Sequence, residues 1–178
     1  MKLYLIFAIS LISLISCTDN LIRDENSFTY SIPVGSLLTL NQRVTIASNH
    51  GRIYFQNGKT TNENKINIYY PHCSLTVNTI LQKEHAIHPS TFEITKIIDD
   101  EEYAQGYMLF ASSDIHLGSP GPLITGLVTY YHLKSLTEPD VRTLECIQWN
   151  SLYENKHLSI TDIRKSLGDI FTLKINQK

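Results

Sequence analysis

The sequence predicts a mainly β protein, an antiparallel β-sandwich or partly open barrel of about eight short strands, with one amphipathic helix near the C-terminal end. Three observations predict it. Ten Tyr and six Phe accompany many Ile, Leu, Val and Thr residues, the side chains that fit a pleated, half-buried surface. Apolar and polar residues alternate at period two in short runs. Those runs follow one another closely with no helical pattern between them, which favours hairpin connections over crossovers. At 178 residues the chain suffices for one domain with its own core.

The elements justify themselves in order. SLLTL at 36–40 and RVTIA at 43–47 come first, then RIYFQ at 52–56, which closes on Asn57-Gly58. Asn-Gly is a strong hairpin signal because both residues tolerate positive φ. KINIYY at 65–70 alternates Ile66, Ile68 and Tyr70; after the Pro71-His72 break, CSLTV alternates Cys73, Leu75 and Val77. TFEITKII at 91–98 runs into Asp99-Asp100-Glu101-Glu102, read as an acidic turn, and YAQGYMLFA at 103–111 returns as its antiparallel partner. The Gly- and Pro-rich stretch 112–122 reads as irregular chain. LITGLVTYYHLK at 123–134 and VRTLECIQW at 141–149 supply two more strands around SLTEPD. Ile163, Leu167, Ile170 and Phe171 then recur at helical spacing, with Ser159 and Asp162 placed like a capping box.

The N-terminus is of a different kind. Met1-Lys2 precedes LYLIFAISLISLIS, a mostly apolar segment shorter than the ~17 to 25 residues of a spanning helix. It matches the core of an export signal. Leu14-Ile15-Ser16-Cys17 resembles the lipobox of bacterial lipoproteins, in position as well as in letters. The resemblance implies that residues 1–16 are a signal peptide and that the Cys17 thiol becomes a diacylglyceryl thioether at the head of the mature chain. One acyl chain anchors marginally, whereas several make a stable tether. Residues 17–27 then form the lipidated cysteine and a polar tether, and 28–178 a single β-rich periplasmic domain. Thr18 after the cysteine points to the outer membrane. The stretches GRIYFQNGK, YYPHCSLTV and LECIQW are similar to proteobacterial lipoproteins with two cysteines in comparable places, a resemblance that implies anchor and bridge but no activity.

With Cys17 lipidated, Cys73 and Cys146 remain as a pair. In an oxidising compartment a pair suggests a disulfide, with two buried free thiols as the alternative. No C-x-x-C spacing points to a redox site.

Little else carries chemistry. A formal net charge of −2 without a basic block argues against nucleic acid as a partner. His85 and His88 have a spacing that serves zinc on a helix, but Pro89 and the lack of a third ligand leave them as loop histidines; no metal or cofactor is expected. The acidic run 99–102 sends consecutive carboxylates in alternating directions, unlike a calcium site. Ser112, Ser113, Asp114 and His116 hold the residue types of a hydrolytic triad without a nucleophile elbow. Tyr69-Tyr70 and Tyr130-Tyr131 are adjacent pairs in strand-like runs, so one ring of each pair faces away from its neighbour, and an exposed aromatic surface is one outcome. The expectation is a non-enzymatic lipoprotein, anchored in the membrane by its lipid, that binds or scaffolds another envelope component. A β-barrel for a lipid or small apolar ligand is the alternative, and a hydrolase the third.

Overall fold

The computed structural model describes residues 23–103 and 124–176. Runs that alternate at period two satisfy their backbone by antiparallel pairing, and every strand pair described here is antiparallel. In chain order the elements are β1 (Leu37–Leu40), β2 (Val44–Ile46), β3 (Arg52–Gln56), β4 (Lys59–Thr61), β5 (His72–Val77), β6 (His85–Ile87), β7 (Ser90–Tyr103), β8 (Ile124–Lys134), β9 (Val141–Ile147), β10 (Trp149–Ser151), the helix α1 (Ile160–Leu167) and β11 (Phe171–Lys174). The main sheet has the order β11-β1-β7-β8-β9-β5-β3-β4, β10 adds to β8, and β2 pairs with β6 separately. The sheet curls into an open half-barrel, which is the predicted fold class.

The curl is visible in a single contact. β11 and β3 lie near opposite ends of the strand order, yet Phe171 and Phe55 meet edge to face with ring centroids 5.2 Å apart. Helix α1 lies over this junction. It begins at Ser159, whose hydroxyl accepts from the Asp162 N–H at 3.1 Å and donates to the Asp162 carboxylate at 2.7 Å. Ile160, Ile163, Ser166 and Leu167 face inward. The helix ends at Gly168, at φ +55°, against the β3–β4 turn: the Gly58 N–H donates to the Ser166 carbonyl at 3.0 Å, and a side chain at Gly168 would collide with the Gly58 Cα. Two glycines therefore meet where the helix closes on the hairpin.

Inside the curl, Leu38, Phe55, Leu75, Phe92, Ile94, Tyr131 and Leu144 are nearly or wholly buried and belong to one continuous cluster. Cys73 and Cys146 sit directly opposite each other in the β5–β9 ladder, with Cα atoms 4.1 Å apart, and form a disulfide. Both are buried in the core.

Three expectations change. The segment 65–70 is not a strand. β3 already pairs on one side with β4 and on the other with β5, and 65–70 is held as a loop, with Gln56 bonding the Asn67 N–H and carbonyl at 3.1 and 2.8 Å. The acidic run is no turn either: Asp99 to Glu102 lie within β7, opposite Thr129 to Gly126 of β8. β7 pairs with β8 and ends at Tyr103, which is therefore not the start of a return strand; 104–111 and 112–122 lie outside the described residues. The polar segment also joins the domain earlier than position 28. The Thr161 N–H donates to the Glu25 carbonyl at 3.0 Å, and Arg164 holds the Glu25 carboxylate through Nε at 3.0 Å and Nη2 at 3.2 Å.

The bridge closes a long loop between residues 73 and 146. A Cys73→Ser/Cys146→Ser double variant is expected to lose about 4 kcal/mol, read as a lower denaturant midpoint with the steeper slope of a less constrained unfolded chain. A midpoint equal to that of the parent contradicts it.

Candidate functional site

Strand alternation that sends Phe55, Cys73, Tyr131 and Cys146 inward sends their neighbours to the opposite face of the sheet. Arg52 and Tyr54 of β3, His72, Ser74 and Thr76 of β5, Tyr130 of β8 and Glu145 of β9 meet there. Glu145 is the hub. Its carboxylate accepts from Arg52 Nη1 at 3.1 Å, Ser74 Oγ at 3.3 Å and Thr76 Oγ1 at 2.9 Å. Burial would lower the Arg52 pKa, but Glu145, Tyr54 and Glu63 outweigh it and raise it. One strand further on, the Tyr130 hydroxyl donates to Glu102 at 3.0 Å. Burial first, and then the Glu102, Glu145 and Asp100 carboxylates, push Tyr130 up to about 12.

Beside the hub lies a groove of about 270 Å³, walled by Ile66, Ile68, Ile147 and Trp149 on the apolar side and by Arg52, Glu63, His72, Glu102 and Glu145 on the polar side. Gly126 makes its floor possible. A Cβ there would stand 2.6 Å from Ile147 Cδ1 and 3.4 Å from Trp149 Cδ2, so any larger residue would push the Ile147 side chain out of its place across β8. The loop 66–70 is fixed against the groove because the Trp149 N–H donates to the Ile68 carbonyl at 3.0 Å and Gln148 Nε2 to the Tyr69 carbonyl at 3.0 Å. His72 is 5 % exposed. Its Nδ1 lies 2.9 Å from the Tyr70 carbonyl, an acceptor only, so Nδ1 carries the proton and Nε2 presents a lone pair with no partner among the described residues.

The predicted tyrosines divide. Tyr69 and Tyr70 are 52 % and 58 % exposed, on the loop 66–70 rather than a strand. Tyr130 lies on the outer face and Tyr131, 2 % exposed, points into the core and leaves the surface set, because consecutive strand residues face opposite ways. Cys17 and Ser112 to His116 lie outside the described residues. His85 falls in β6 instead of a loop, its buried Nδ1 3.8 Å from Asp140 and without a hydrogen bond, while His88 Nδ1 meets Glu138 at 3.2 Å, so the two imidazoles lie by different carboxylates.

A hydroxyl does approach a histidine elsewhere. Thr129 Oγ1 lies 3.1 Å from His157 Nδ1 and donates to Asp99 Oδ1 at 2.8 Å. The hydroxyl stands between imidazole and carboxylate, and its only proton goes to Asp99. A nucleophile triad needs the imidazole between the other two, taking the hydroxyl proton. The larger groove, about 840 Å³ along β11, contains Arg164, whose Nη1 donates to the Leu173 carbonyl at 2.6 Å while Nε and Nη2 hold Glu25. The Arg164 guanidinium is thus consumed internally.

Sequence reasoning missed the Glu145 hub and the groove. Polar residues in otherwise apolar strands, such as Ser74 and Glu145, mark an outer face but do not tell which strands are neighbours. Comparison with protein-family models, with curated proteins and with solved structures finds no match to the chain.

Burial holds the His72 pKa below its usual 6.5, against the opposing pull of the Tyr70 carbonyl and Glu102. Above 6.5 the imidazole is neutral whether folded or not. As pH falls through 6.5, the unfolded chain takes up a proton that the folded chain refuses, and stability is lost until the folded pKa is reached. Between about pH 7 and 5 the urea midpoint of the parent should therefore fall more steeply than that of His72→Gln; parallel profiles contradict this.

Proposed function

We propose that this chain is a non-enzymatic binding domain of the bacterial cell envelope, held to the membrane by lipid on Cys17 and recognising another envelope component with the face around Trp149. One observation carries it: exposed apolar side chains crowd one end of the sheet. Ile68, Tyr69, Tyr70, Tyr103, Leu152 and Tyr153 are all exposed, and they surround the start of β8 and the short strand β10. Contiguous apolar surface of this kind marks an interaction site more often than a lone exposed residue does. The inner face of the sheet is filled by its own side chains, which favours a partner bound outside over a lipid bound within. The carboxylate–hydroxyl–imidazole order at Asp99, Thr129 and His157 weighs against a hydrolase.

The lipobox Leu14-Ile15-Ser16-Cys17 supports the anchor and an outer-membrane, periplasm-facing location. With Glu25 already docked on α1, a tether from 18 to 24 reaches roughly 25 Å at most, so the domain works close to its membrane.

The test uses cells fed a labelled fatty acid, with a photo-cross-linking residue placed at Tyr153 or at Leu136. These positions are 96 % and 94 % exposed, at opposite ends of β8. The parent chain takes up label and Cys17→Ser loses both label and membrane association, while Tyr153 gives a discrete adduct that Leu136 does not. Label retained by Cys17→Ser, or equal adducts from the two positions, contradicts the proposal.

A further inference from the structure

Resting on that reading, we propose that the groove beside Trp149 is a receptor for an alkylammonium group, the end of a lysine side chain on the bound partner. Four features converge on this ligand.

The first is size. At about 270 Å³ the groove falls below the range of roughly 300 to 1,000 Å³ that holds drug-sized molecules, so it suits a single side chain rather than a whole cofactor. The second is charge. Three carboxylates, Glu63, Glu102 and Glu145, face one guanidinium, Arg52, which is already paired with Glu145. Arg52 also feels Glu63, so one guanidinium serves two carboxylates and Glu102 has no cation among the groove residues; after burial, Glu102 with Glu145 and Asp100 raises the Tyr130 pKa.

The third feature is independent of the acids. His72 is almost wholly buried, lines the groove, and has its Nδ1 committed to the Tyr70 carbonyl. The Nε2 lone pair can only accept, and so it calls for a donor in the groove. Nε2 is not among the fully enclosed side-chain atoms that lack a partner, so it stays accessible to a donor entering the groove. The fourth is the wall. Trp149 with Ile66 and Ile68 offers an aromatic and aliphatic surface for a methylene stem, and an indole is the best aromatic partner for an ammonium ion. A hard metal ion would want six or more converging oxygens and no such wall. Acceptors at one end and a greasy stem channel at the other describe lysine.

Trp149 is the chain's single tryptophan, so its emission reads the groove directly. The full-length lipidated chain in detergent is titrated with three probes: a tripeptide with blocked ends and a central lysine, the same peptide acetylated on the lysine Nζ, and butylamine. Expected is a saturable change in Trp149 emission with the lysine peptide and none with the acetylated one. The Glu63→Gln/Glu102→Gln variant, altered only at exposed side chains, should bind about tenfold or more weakly. A butylamine response equal to that of the peptide supports the ammonium site with a free amine as sufficient ligand, and a response to the peptide alone supports a protein-borne lysine. An equal response to acetylated peptide, an unchanged affinity in the double variant, or no saturable response overturns the inference. Tyr153 lies outside the groove, so a retained Tyr153 adduct with no ammonium response rejects this inference and leaves the binding face standing.

Discussion

The fold depends on the closure of a curled sheet by its own C-terminal helix. Phe171 of β11 packs on Phe55 of β3, and α1 sits across the junction with its N-terminus capped by Ser159 and its C-terminus pressed on the Gly58 turn. A flat sheet of this order would leave β11 and β4 at separate edges and an apolar face uncovered. Curling brings those ends together and puts Phe92, Tyr131, Leu144 and their neighbours in a solid interior.

The disulfide bears on the outer face of the sheet through the backbone. Cys73 and Cys146 point inward from β5 and β9, and the residues that follow them or precede them, Ser74 and Glu145, point outward into the hub. Linking the two strands at that rung fixes the register on which the Glu145 contacts to Ser74 and Thr76 rely. Core and site are two faces of one ladder. A slip by one residue would exchange them.

The class of fold was legible because period-two alternation and close strand spacing are local signals. RIYFQ at 52–56 and the Asn57-Gly58 turn, with both residues at positive φ, stand where the sequence puts them, and the Ser159 cap does too. The cysteine pairing was open in the sequence between bridge and free thiols, and opposition in the β5–β9 ladder decides it. Non-local facts were not legible. KINIYY has strand alternation, but β3 has no free edge left to pair with it. The acidic run looked like a turn because four carboxylates in succession suggest solvent, whereas alternation lets each find its own partner: Asp99 takes Thr129, Glu102 takes Tyr130. The groove was invisible for the same reason, since Arg52, His72, Glu102 and Trp149 are gathered by strand order and not by spacing.

Closure by the helix is testable without reference to function. Residue-resolved amide hydrogen exchange under native conditions separates one cooperative unit from a sheet with a loosely attached end. If α1 and the Phe55–Phe171 contact close the half-barrel, the buried strand amides of Phe55, Leu75, Leu144 and Leu173 exchange only through global unfolding and share one opening free energy and one denaturant dependence. Exchange of β11 and α1 through a separate, lower-energy opening, with β5 and β9 still protected, would contradict closure as the constraint on which the rest of the structure depends.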